Sequence, residues 1–124
     1  MKYLLDVNTL LAYNYRRNSH HEPFHRWALK EGFTSMATCA VVELGFIRIS
    51  MAAYHVSLAD AQKDLAEIKH KLGGFIEKNP SPHLPAWSGQ AAKTTDAYLL
   101  QLAKSAGLEL ATFDTGIPGA ILIK

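Results

Sequence analysis

Short apolar runs that do not alternate with polar residues recur along this chain: Lys2 to Leu5, Phe33 to Met36, Leu108 to Phe113 and Ala120 to Ile123. A strand with one face in water alternates; a strand covered on both faces reads as continuous apolar sequence, as in parallel sheets clad by helices. Helical segments separate these runs. Leu10 starts one that ends in the polar run Arg16 to Ser19, and His21 to Glu31 carries Phe24, Trp27 and Ala28 at helical spacing before the stop at Gly32. Thr38 reads as the N-cap of a long apolar helix through about Tyr54. Ser57 opens another, with Leu58, Ala61, Leu65, Ile68 and Leu72 as its stripe and Gly73-Gly74 at its end. A short strand near Phe75-Ile76 leads into a loop, Asn79 to Gly89, that holds Pro80, Pro82 and Pro85. Thr94 or Thr95 caps a final helix to about Ala106, closed by Gly107. The pattern predicts an α/β sandwich with a mostly parallel sheet, built as one domain over residues 1–124.

Composition bounds the function classes. Hydrophobic residues make up 48% and charged residues 19%, which excludes a disordered chain. A formal charge of +2 permits an anionic partner without demanding one. The single cysteine, Cys39, lies in an apolar run and reads as a core residue; with no second thiol there is no intrachain disulfide to suggest an oxidising compartment. The most membrane-like stretch, Met36 to Tyr54, contains Glu43 and Arg48, so it reads as a buried helix of a soluble, cytoplasmic protein with no membrane partner.

Four acids interrupt apolar sequence: Asp6 after Tyr3-Leu4-Leu5, Glu43 after Val41-Val42, Asp96 before Ala97-Tyr98-Leu99-Leu100, and Asp114 after Leu110 to Phe113. An unpaired buried carboxylate costs several kcal/mol. Four of them suggest a shared partner, and a divalent cation suits converging carboxylates. Asp6 and Asp114 end strands, and ligands of open parallel sheets bind at the carboxyl edge where strand order reverses. Asp96 precedes Leu99, Leu100 and Ala103 by three, four and seven residues; Glu43 precedes Phe46, Ile47 and Ser50 likewise. Both therefore face inward if their helices bury those residues. An oxygen-only set selects Mg²⁺ or Mn²⁺, ions that serve phosphodiester hydrolysis without a side-chain nucleophile.

The chain resembles the PIN-domain ribonucleases, in particular the VapC-type toxins of toxin–antitoxin pairs. The likeness is carried by Leu5-Asp6-Val7-Asn8-Thr9-Leu10-Leu11, Val42-Glu43-Leu44-Gly45-Phe46-Ile47-Arg48, Thr95-Asp96-Ala97-Tyr98-Leu99-Leu100 and Leu110-Ala111-Thr112-Phe113-Asp114. It implies a PIN-like three-layer sandwich with a sheet of about five strands. It also implies a Mg²⁺-dependent endoribonuclease, with Mn²⁺ as a substitute, that leaves a 5′-phosphate and arrests translation. An RNA substrate, a cognate antitoxin and a homodimer come with the resemblance. On it, Asp6, Glu43, Asp96 and Asp114 match the acidic quartet: Asp6 and Asp96 as direct ligands, Glu43 and Asp114 through water or on a second ion. Asn8 and Thr112 match supporting polar positions. Relatives often carry a further acid after the last; Thr115-Gly116-Ile117-Pro118 supplies none here, which counts against a two-ion site.

Other residues divide between function and structure. Arg48 either closes a core-edge salt bridge or contacts phosphate. His21 and His25 have the i, i+4 spacing of a zinc pair, but with His20 they read better as a solvated helix start. Arg16, Arg17, Arg26 and Lys30 form either a basic rim for RNA or, preferably, a solubilising surface. Tyr13, Tyr15, Phe24 and Trp27 read as core or as part of an antitoxin groove, and Trp87 as a loop anchor. Two alternatives stand beside the nuclease: a non-catalytic RNA-binding relative, and a receiver-like signalling domain, for which Lys124 is a poor late lysine.

Overall fold

The computed structural model describes residues 1–124. Five strands form one sheet: β1 (Tyr3–Leu5), β2 (Met36–Cys39), β3 (Gly74–Ile76), β4 (Glu109–Thr112) and β5 (Ile121–Leu122). Their order is β3-β2-β1-β4-β5, and every pair is parallel. The helices are α1 (Val7–Asn14), α2 (His21–Glu31), α3 (Ala40–Ala53), α4 (Leu58–Lys71) and α5 (Ala91–Ser105). Tyr3 to Leu5 and Met36 to Cys39 are buried at every position, which explains why neither run alternates. This is the α/β sandwich that the sequence predicts.

Several boundaries differ from the sequence reading. Phe33 to Ser35 is a 3₁₀ turn, and the strand begins at Met36. The backbone of Thr38 continues that strand, so Cys39 occupies the cap position of α3 and makes no side-chain capping bond. At α5 the helix starts at Ala91, because Ala91 and Ala92 are strong helix formers and need no hydroxyl cap. Asp96 therefore lies in the second turn of α5 and not the first.

β1 and β2–β3 run outward on one side of the sheet, while β4 and β5 lie on the other. The order reverses between β1 and β4, the place where an open parallel sheet parts its loops to form a crevice. α1 leaves β1 there and packs against α3. Gly45 makes that approach possible: a Cβ on it would lie 2.8 Å from the Val7 side chain, beside Asp6. Phe24, Phe46, Leu10, Met36 and Leu102 are fully buried, and Cys39 lies with them as the predicted core thiol. No helix is long and apolar enough to cross a membrane.

Candidate functional site

Asp6 is the structural root of the crevice. Its side chain caps α1 by accepting hydrogen bonds from the Thr9 amide (2.9 Å) and the Thr9 hydroxyl (2.6 Å), both at Oδ1. The Thr112 hydroxyl donates to the other oxygen, Oδ2. Asp6 is only 4% exposed. Burial pushes its carboxyl pKa up, and the charge of Asp114 adds to the rise; the Thr112 and Thr9 hydrogen bonds oppose it. A cap alone would account for an aspartate here, but serine or asparagine would cap as well without the charge.

Asp96 and Asp114 converge on Asp6 electrostatically. The pKa of Asp96 is raised first by burial, then by the charges of Asp6 and Asp114, with Lys93 opposing. Asp114 is exposed. Its Oδ1 accepts from the Gly116 amide at 2.7 Å, and its own amide donates to Thr112 Oγ1 at 3.0 Å. Thr112 thus links the two strand-end acids, bonding one by its hydroxyl proton and the other by its oxygen. Its replacement by valine keeps the shape and removes both bonds. Thr112→Val is expected to cost about 1–3 kcal/mol in chemical unfolding, because it strips a buried carboxylate of a donor. An unchanged unfolding midpoint would mean the link carries no weight.

Glu43 stands apart. It lies in the first turn of α3, not mid-helix, with its side chain 14% exposed. Oε2 accepts from the Thr38 hydroxyl and Oε1 pairs with Lys69 Nζ of α4 at 3.2 Å. Three of the four acids therefore sense one another, and the fourth is held by a lysine. A partly exposed Lys–Glu pair is worth about 0–1 kcal/mol, little enough for a stronger cation to displace.

The side chains as they stand do not close a set of three or more His, Cys, Asp or Glu ligands around one point. Their chemistry nonetheless suits a hard divalent cation: the donors are carboxylate and hydroxyl oxygens, and two carboxyls carry pKa values raised by burial and by neighbouring acids.

The remaining residues fall into place around this centre. Asn8 is exposed on α1, and its side chain makes no hydrogen bond within the chain. Arg48 is exposed and forms no ion pair, so the salt-bridge reading is not met; the pair in this region is Lys69 with Glu43. His21 Nδ1 and His25 Nε2 donate to the carbonyls of Ala12 (2.7 Å) and Tyr13 (2.9 Å). They are neither a zinc pair nor a solvated start: their rings satisfy carbonyls that the end of α1 leaves open. His20 stacks on Phe113, centroids 4.2 Å apart.

Arg16, Arg17, Arg26 and Lys30 are exposed, with Arg17 bonded to the Tyr54 carbonyl and lying over its ring. Phe24 and Trp27 are core, Tyr13 and Tyr15 pack half-buried against it, and Trp87 does the same from its loop, as an anchor would. Sequence reasoning passed over Lys93 and Lys69, and gave Thr38 only a capping role. Lys93 carried a signal, since it sits one helical turn before Asp96 on the same face. Lys69 reaches Glu43 from α4, a contact that spacing does not encode.

Comparison with known proteins agrees with this architecture. Residues 3–120 match the family model of the PIN domain. The chain is 33% identical to Ribonuclease VapC38 of Mycobacterium tuberculosis (strain ATCC 25618 / H37Rv) over 123 residues, covering 92% of this chain and 86% of that protein. It is also 33% identical over 140 residues to Ribonuclease VapC44 of Mycobacterium tuberculosis (strain CDC 1551 / Oshkosh), covering 97% and 94%. Among solved structures, PAE2754 from Pyrobaculum aerophilum superposes with a TM-score of 0.60 at 19% identity, covering 99% of this chain and 90% of that one. That likeness speaks for the fold. A parallel five-stranded sheet and a family match across nearly the whole chain lead to one assignment: this chain belongs to the PIN-domain family.

Proposed function

We propose that this protein is a metal-dependent endoribonuclease, the toxin of a toxin–antitoxin pair, with Asp6, Asp96, Asp114 and Glu43 at its active site. The observation that carries the proposal is the meeting of three acids: Thr112 bonds both Asp6 and Asp114, and the carboxyl pKa values of Asp6 and Asp96 are raised, first by burial and then by the charge of neighbouring acids. The relatives named ribonucleases supply the substrate class.

A bound Mg²⁺ or Mn²⁺ supplies an acidified water and neutralises charge developing on a phosphodiester. The chain's own residues do the rest. Asp6, locked by Thr9 and Thr112, offers a fixed oxygen that needs no reorganisation. Asp96 and Asp114 close the same centre from α5 and from the end of β4. Glu43, released from Lys69, joins from α3. Lys69 is then free to face the RNA backbone as a cation. Asn8 and Arg48 lie outward, available to RNA phosphates. A cognate antitoxin restrains the enzyme, and the exposed Leu44 and Met51 of α3 give a homodimer an apolar face. The protein works in the cytoplasm. The receiver-like alternative draws nothing from a PIN-domain match.

The test is calorimetric and enzymatic together. Millimolar Mg²⁺ or Mn²⁺ should raise the melting temperature of the wild-type protein, leave an Asp6→Asn/Asp96→Asn double variant unmoved, and permit cutting of a long RNA to 5′-phosphate ends. Protein that binds RNA yet never cuts it, with either ion, would support the non-catalytic alternative instead.

A further inference from the structure

Between the start of α3, the proline loop and the first turns of α5 lies a pocket of about 420 Å³, within the size range of small-ligand sites. Val41 and Tyr98 form one part of its wall, and Pro82 and Leu84 of the proline loop another. Asn79 and Thr95 contribute polar groups, and no charged side chain lines it. The pocket adjoins the proposed centre through the chain itself: Thr95 precedes Asp96, and Val41 lies two residues before Glu43.

The proline loop is not slack. Tyr98 Oη donates to the Pro80 carbonyl (2.8 Å), Gln101 Nε2 to the Ser81 carbonyl (2.9 Å), and the His83 amide to Gln101 Oε1 (2.8 Å). Three bonds from α5 thus fix the loop against the helix that carries Asp96. The first of them pins the Tyr98 ring by its hydroxyl end. The side-chain amide nitrogen of Asn79 bonds the Glu77 carbonyl at 3.1 Å, which leaves its oxygen free to accept. The Thr95 hydroxyl has no partner within the chain.

An uncharged lining gives a phosphate no counter-charge. It suits a neutral, flat ring that stacks on an aromatic face and bonds at its edge. We propose that this pocket receives a single nucleobase of the RNA, next to the phosphodiester held at the acids, and so selects the sequence at which the enzyme cuts. The inference rests on the endoribonuclease reading above. Tyr98 and the apolar wall hold the ring; Thr95 and Asn79 read its edge.

Two variants test it without touching the acids: Leu84→Trp fills the pocket, and Thr95→Val removes one polar reader while keeping the shape. Cleavage of a randomised RNA pool by wild-type protein should show a base preference at a position flanking the cut. Leu84→Trp should flatten that preference and raise KM about tenfold with kcat little changed. Thr95→Val should change the preferred base at that position alone. A second measurement does not depend on turnover. Asp6→Asn protein, irradiated with RNA containing 4-thiouridine, should crosslink at Tyr98 or within residues 79–84.

Wild-type preference and KM in both variants, or crosslinks confined to other surfaces, would overturn the pocket assignment and leave the nuclease reading intact. Failure of wild-type protein to cut any RNA with Mg²⁺ or Mn²⁺ would instead remove the nuclease reading, and this inference with it.

Discussion

Asp6→Asn and Asp96→Asn should each lower RNA cleavage by at least about a hundredfold, a loss that even the outer partners of a metal ligand can produce. The same substitutions should raise the melting temperature of metal-free protein at neutral pH. The two effects share one cause. In the folded chain the Asp6 carboxyl holds its proton more tightly than the ordinary value of 3.8, mainly because it is buried and also because Asp114 repels its charge. The folded state therefore binds more protons than the unfolded one as pH rises above that value. Stability is fully present below the unfolded pKa and is lost as pH climbs through the raised folded pKa. An amide does not titrate, and it keeps an oxygen to cap α1.

The melting advantage of Asp6→Asn should accordingly be larger at pH 7 than at pH 4, measured in chelator. Asp96→Asn should follow the same direction more weakly, since Asp96 is less buried. Variants that melt lower at neutral pH while still cutting RNA would refute both the electrostatic account and the assigned roles.

Gly73→Ala should be the most destabilising single-methyl addition at any glycine of the chain. A Cβ at Gly73 would sit 1.9 Å from the Thr34 carbonyl oxygen and 2.8 Å from its carbon. Both atoms are backbone, so no side-chain rotation relieves the clash. The Gly73 amide also donates to the Met36 carbonyl at 2.8 Å, fastening the entry of β3 to β2. Relief requires pulling β3 away from the sheet, at a cost of about 3 kcal/mol. For a domain of this size that should lower the melting temperature by roughly 10 °C. Gly74 is a milder case, since its clash is with the flexible side chain of Met1. A shift of less than about 2 °C in Gly73→Ala would mean the strand edge yields more easily than this packing allows. The proline loop follows β3, so the substitution should also blunt base preference before it affects the acids.

The sheet was legible because its strands are covered on both faces, and burial on both faces is written directly into composition. The burial of Asp6 was legible because a charge in an apolar run is anomalous whatever the fold, yet the same signal at Asp114 marked a residue that is exposed. Boundaries were less so. Thr38 has the chemistry of a cap, yet strand pairing of β2 claims its backbone and its hydroxyl turns to Glu43. Thr94 and Thr95 have the same chemistry, yet two alanines start α5 before them. In both places a hydroxyl capable of capping was outbid by a neighbour's stronger preference. Glu43 shows a different limit. Helical spacing gave its side of α3, but the partner that holds it comes from α4, 26 residues away, and no local period reports that. The histidines illustrate it again: i, i+4 spacing put His21 and His25 on one face, but the atoms they meet belong to the end of α1.

Asp6 closes the first turn of α1, and under the proposed function it also anchors the acidic centre, so selection would act on it twice. A descendant that gave up cutting RNA while keeping its shape would be free to lose the negative charge at this position. It would not be free to lose the oxygen that the Thr9 amide needs. Degenerate lineages should therefore drift there toward asparagine, serine or threonine and shun alanine, leaving a trace in their genes of which duty was abandoned first.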